Sequence, residues 1–139
     1  MEPWQLIFEV TECSTFGSGE QALHTLRQLQ KMGVRIAIDD FGTGYASYAR
    51  LKSVDADILK IDGSFIRNIV NNSLDYQIVA SICHLARMKK MLVVAEYVET
   101  EEIRSAVHAL GIDYVQGYLI GRPVALESLL EAEVSPVEA

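Results

Sequence analysis

The chain has 139 residues, 50% of them apolar and 22% charged, with a formal net charge of −7. That is enough for one domain with its own core and too apolar for disorder, while the acidic balance disfavours a nucleic-acid polymer as partner. No apolar run reaches the length of a bilayer crossing, and the opening MEPWQLIFEV lacks the basic region and cleavage site of a secretory leader. A cytoplasmic location is therefore expected, with no membrane contact by this segment; membrane anchoring elsewhere in a parent protein stays open.

The chain reads as repeated strand-then-helix units. Leu6-Ile7-Phe8 suits a buried strand that ends at Glu9. Ser18 is placed to cap a helix from Gly19 to Met32, with Gly33 at its C-terminal end. Ala22, Leu23, Leu26, Leu29 and Met32 have the spacing of one buried face. Val34 to Ile38 is the next strand, ending at Asp39-Asp40, and Phe41 to Gly44 is a loop. A short helix is expected near Tyr48 to Lys52, a strand at Asp57 to Ile61, a short helix near Phe65 to Val70 and a longer one from Tyr76 to Met88.

Leu92 to Ala95 is a fourth strand, ending at Glu96. Thr100 caps a helix to Leu110, with Glu101 and Glu102 well placed in its first turn. Asp113 to Val115 is a fifth strand, Leu126 to Ala132 a last helix, and Glu133 to Ala139 a frayed tail. Five strands alternating with helices imply an α/β fold with a parallel sheet. Five βα units do not close an eight-stranded barrel, so the sheet is open or part of a barrel is missing.

The polar residues of interest recur at one kind of place. Glu9, Asp39, Asp40, Lys60, Glu96 and Gln116 each follow or end an apolar strand. In a parallel sheet those positions share the C-terminal edge, where ligands bind. Taken singly, each has a plain explanation. Glu9 reads as a solvated loop residue, Lys60 as a snorkelling edge lysine and Glu96 as its structural ion-pair partner. Adjacent carboxylates such as Asp39 and Asp40 repel unless something positive lies near. Taken together they form an oxygen-rich set suited to hard cations, which can activate water and stabilise a phosphodiester leaving group. A lysine beside them can neutralise phosphate charge.

The motifs at these positions resemble those of the EAL domain family. Phe8-Glu9-Val10-Thr11-Glu12 is similar to its E-[LIV]-T-E segment, and Ile38 to Ser47 to its DDFGTGYSS loop. Leu59 to Ile66 resembles LKID-x-SF-[IV], Val94 to Thr100 resembles AEGVET, and Gln116-Gly117-Tyr118 with Arg122-Pro123 resembles QGY…KP. A kinase reading of Asp40-Phe41-Gly42 fails because no glycine-rich loop or H-R-D segment precedes it.

The resemblance implies a partial TIM-like (β/α) barrel of about five parallel βα units. Residues 1–132 would be the C-terminal part of an EAL domain, lacking the first strands of the full barrel. It implies hydrolysis of cyclic di-GMP to linear pGpG with Mg²⁺ or Mn²⁺ in bacterial second-messenger signalling, this chain being inactive alone. Glu9, Asp39 and Asp40 would be metal ligands, and Lys60 would hold the phosphate and attacking water. Glu96 would be the general base or a water-mediated metal partner, with Asp40 also in the catalytic set. Glu12, Asp62, Glu99 and Gln116 would bind substrate or support the first set. The alternative is a degenerate module that binds cyclic di-GMP or a protein without hydrolysis. A homodimer or higher oligomer is expected, with other signalling domains in the parent protein.

The family's glycine beside Glu96 is Tyr97 here, and a phenol narrows a pocket that glycine leaves open. Cys13 and Cys83 make no disulfide framework and read as inert thiols. His24, His84 and His108 share no ligand spacing.

Overall fold

The computed structural model describes residues 1–11, 19–42 and 51–134, with side chains described up to residue 132. Five parallel strands form one sheet in chain order: β1 (Ile7–Thr11), β2 (Arg35–Phe41), β3 (Ile58–Ile61), β4 (Leu92–Ala95) and β5 (Tyr114–Val115). Sequential order is the arrangement of a (β/α) barrel; a doubly wound sheet would reverse direction at a switch point. Between the strands lie α1 (Glu20–Lys31), a helical stretch over residues 51–53, α2 (Gly63–Ile66), α3 (Ser73–Met88) and α4 (Glu101–Ala109), and α5 (Leu126–Val134) follows β5.

Alternation along each strand divides the sheet into two chemically different faces. Ile36 and Ile38, Leu59 and Ile61, and Val93 and Ala95 fall on one face. They form the buried core with Leu26 of α1, Val79, Ile82 and Ala86 of α3, and Ile103 and Val107 of α4. The pairings Glu9↔Ala37, Thr11↔Asp39, Ala37↔Ile58 and Lys60↔Val94 put Glu9, Asp39 and Lys60 on the other face. One face buys stability through apolar burial, which leaves the other free to carry charge.

Two carboxylates tie the opposite ends of the strands. Asp57, just before β3, accepts from the Ile36 amide at 2.8 Å. Asp113, just before β5, accepts from the Val93 amide at 2.8 Å. Each satisfies a strand-end donor that would otherwise need water.

Helix starts follow their caps. The Asn72 side chain accepts from the amides of Leu74 and Asp75 at 2.9 and 3.2 Å, so α3 begins at Ser73, three residues before the expected Tyr76. Thr100 accepts from the Ile103 amide as expected, a contact worth about 1 kcal/mol.

Several expectations are corrected. The Leu6 to Phe8 strand is exposed, because β1 is an edge strand with a neighbour on one side only. In α1 only Leu26 is fully buried, and Met32 is exposed past the helix end. Gly19 occupies the cap position of α1, while Ser18 lies outside the described residues. The helix expected near Phe65 to Val70 is the single turn α2, started by the Asp62 cap. The last helix continues to Val134, two residues past the expected end. Most of the segment Tyr48 to Lys52, together with Glu12 and Cys13, lies outside the described residues. Cys83 is a free, buried thiol whose pKa burial pushes up.

Candidate active site

Lys60 near the end of β3 is the centre of the polar face. Its Nζ donates a 2.8 Å hydrogen bond to Glu9 Oε1 of β1. The same ammonium lies 3.3 Å from Glu96 Oε1, just past β4, and 3.6 Å from Asp39 Oδ1 of β2. Lys60 is 7% exposed, and it is the one buried charged residue among the described residues. Burial would by itself lower its proton affinity. The Glu9 hydrogen bond and the Glu96 and Asp39 charges outweigh that, so the ammonium is held above its ordinary range.

The end of β2 is irregular, which brings two adjacent carboxylates to one place. Its pairing with β3 slips between Ile38 and Phe41. Asp40 in that interval takes φ +52°, a left-handed value that aspartate tolerates better than most side chains. Its amide donates to Asp39 Oδ1 at 2.9 Å. In a regular strand, neighbouring side chains would point to opposite faces. Here carboxylate oxygens of Asp39, Asp40 and Glu96 lie within 4.8 Å of one another.

Both Asp40 and Glu96 have raised pKa values. For Asp40, burial contributes most, then the charges of Asp39 and Asp62, with Lys60 opposing. For Glu96, burial again contributes most; Lys60 opposes it and the Asp39 charge adds to it. Such crowding among acids is what a bound cation relieves, and an all-oxygen donor set suits a hard divalent ion.

Gly42 follows at φ +107°, and a Cβ there would press on the Phe65 ring at 2.6 Å. Any other residue at position 42 would strain the backbone and push against the Phe65 ring of α2. Asp62 caps α2 through a 2.8 Å hydrogen bond from the Ser64 amide and adds its charge beside Asp40.

Glu99 and Gln116 do not join the carboxylate cluster. They are exposed and line an adjoining cleft of about 480 Å³ together with Glu96, Tyr97, Arg67, Gly117 and Tyr118. The Gln116 backbone is fixed by hydrogen bonds from its amide to Ala95 and from the Val98 amide to its carbonyl. Gly117 packs so closely on Val98 that a Cβ would strike that residue's backbone. Glu12 lies outside the described residues.

Sequence reasoning missed Arg67, whose Cζ lies 4.1 Å from the centroid of the Tyr97 ring. Its only signal was a cation following the Ser64-Phe65-Ile66 segment. Tyr97 itself was legible as a departure, and it takes φ +58°, a value that glycine adopts without strain.

Known proteins and solved structures are similar to this chain in sequence and fold. The chain is 72% identical over 137 residues to the cyclic di-GMP phosphodiesterase PdeF of Escherichia coli, covering 99% of this chain and 18% of that protein. It is 44% identical over 124 residues to the cyclic di-GMP phosphodiesterase PdeB of Shewanella oneidensis, covering 89% of this chain and 14% of that protein. The chain thus spans less than a fifth of the length of these relatives. It superposes on the PaMucR phosphodiesterase in its c-di-GMP complex with a TM-score of 0.84 and 45% identity, over 93% of this chain and 52% of that one. It also superposes on the manganese and cyclic di-GMP complex of BlrP1 from Klebsiella pneumoniae, with a TM-score of 0.83 and 35% identity, over 88% of this chain and 31% of that one. The EAL domain family matches residues 1–123, and the chain belongs to that family.

Proposed function

We propose that residues 1–132 are the C-terminal part of a phosphodiesterase domain that hydrolyses cyclic di-GMP to linear pGpG with Mg²⁺ or Mn²⁺. The observation that carries this reading is Lys60, gripped by acids from three other places in the sheet: Glu9, Asp39 and Glu96. The donor chemistry fits a divalent cation, with Asp39, Asp40 and Glu96 close enough to share one and Glu9 beside them through Lys60. A bound cation supplies a more acidic water and neutralises phosphate charge.

The residues of the chain divide the remaining work. Lys60, kept protonated by its acidic neighbours, neutralises a phosphate oxygen as charge builds there. Glu96, beside Lys60 and the aspartate pair, takes the proton of the attacking water. Asp40 and Asp39 fix the position of the phosphate's counter-charge, and Asp62 braces Asp40. Glu99 and Gln116 orient the substrate from the adjoining cleft, and Glu12 supports the loop after β2.

The test is product formation from cyclic di-GMP and Mn²⁺ by the intact protein bearing this sequence. Linear pGpG from wild type, falling about 10²- to 10³-fold in Lys60→Ala, supports the reading; equal rates in the two remove it. A second reading is a receptor that binds without turnover. Tyr97 favours it, since its ring lines the cleft in place of the glycine of AEGVET. Tight binding by calorimetry with no product would establish it.

The 139-residue chain alone is inactive in this account. It pairs with a second copy through its open sheet edges, where Ile7 and Phe8 on one side and Tyr114 on the other are exposed. No helix among the described residues is long and apolar enough to cross a membrane. The proposed setting is the cytoplasm, joined to other signalling domains.

A further inference from the structure

Tyr97 and Arg67 make a pair beside the carboxylate cluster. Tyr97 accepts a left-handed backbone, φ +58°, which a side chain with a Cβ adopts at a cost. Its ring is held in place from two sides. It fills the space where a Cβ on Gly63 would stand, and Arg67 lies over it at 4.1 Å from the centroid. Among the described residues Arg67 forms no ion pair. A cation–π contact uses the charge of a guanidinium and leaves its N–H donors available.

Both residues line the cleft that continues from Glu96. Glu96 and Glu99 put two carboxylates in the same lining, which disfavours a second phosphate there. A neutral heteroaromatic ring with an acceptor edge suits the free donors of Arg67. Guanine offers such an edge in O6 and N7, whereas adenine places an amino donor at the sixth position.

We propose that Arg67, positioned by Tyr97, reads the O6 and N7 edge of a guanine base of the dinucleotide. Arg67 is the specificity-determining residue and Tyr97 its positioning residue. This assignment rests on the phosphodiesterase reading above.

The experiment is steady-state hydrolysis of cyclic di-GMP and cyclic di-AMP by the intact protein with Mn²⁺. Arg67→Ala is expected to raise KM for cyclic di-GMP about tenfold or more with kcat little changed, and to lose the preference for guanine by a similar factor. Tyr97→Gly suits the backbone and should match Arg67→Ala, with no further loss in the double variant. Tyr97→Phe keeps the ring and should behave as wild type. Should Tyr97→Gly lose a cooperative thermal transition, Arg67→Ala and Tyr97→Phe decide the matter alone. An active wild type whose KM and base preference survive Arg67→Ala overturns this assignment only. A wild type that neither binds nor cleaves cyclic di-GMP overturns the phosphodiesterase reading and this assignment together.

Discussion

Lys60 Nζ donates a 2.8 Å hydrogen bond to Glu9 Oε1, across 51 residues of sequence. The contact bridges β3 and β1 over the intervening β2, whose own Asp39 lies 3.6 Å from the same ammonium. A lysine so placed neutralises acids of β1, β2 and the residue after β4 at once. Lys60→Met should therefore leave the acids unbalanced and destabilise the metal-free protein by about 1–3 kcal/mol, less than a fully buried pair because Glu9 is half exposed. Urea unfolding at pH 7 with chelator present measures it; a midpoint equal to wild type contradicts it.

Asp40 and Glu96 should show the reverse. Both have pKa values raised in the folded state, so their contribution to stability is full below the ordinary carboxylate value and lost as pH rises through the folded value. At neutral pH without metal, each ionised acid is a cost. Asp40→Asn and Glu96→Gln are expected to raise Tm at pH 7 in chelator, with the gain vanishing near pH 4, while hydrolysis falls at least about 100-fold. Asparagine also tolerates the left-handed backbone at position 40. Variants less stable than wild type at pH 7 contradict the account.

Lys60 gives an alkaline limit of opposite origin. Its raised pKa means that its contribution to stability is fully present below the unfolded value near 10.5 and is lost as pH rises through the folded value. Wild type should lose stability above that range more steeply than Lys60→Met. Thermal melts from pH 9 to 12 check this.

Asp57 and Asp113 predict stability effects far from the chemistry. Asp57→Ala and Asp113→Ala each leave a strand-end amide without its carboxylate partner. Each should cost about 1–3 kcal/mol in urea unfolding. Activity per folded molecule should stay unchanged, as both acids sit at the ends of the strands opposite the cluster.

Much of this was legible because strand ends repeat. The alternation of apolar runs and helical patterns located every strand of the sheet, and the parallel topology then required Glu9, Asp39, Lys60 and Glu96 to share an edge. Asp40 was legible as a residue but not as a backbone device. A regular strand gives no reason for Asp39 and Asp40 to point together, and the register slip that does so arises from pairing with β3. The Asp57 and Asp113 ties were invisible for the same reason, since an acid before a strand is indistinguishable in sequence from a solvated turn. Burial of Leu6 to Phe8 was misjudged because an apolar run does not say whether its strand is central or at an edge. Arg67 was missed because its partner, Tyr97, comes from a different βα unit.

The proposal that these side chains converge on a cation is tested most directly by calorimetric titration of the intact protein with Mn²⁺. Wild type is predicted to bind, and Asp39→Asn and Asp40→Asn to weaken binding about 10- to 100-fold, while the strand-end variant Asp113→Ala binds as wild type. Unchanged Mn²⁺ affinity in both aspartate variants would contradict the account.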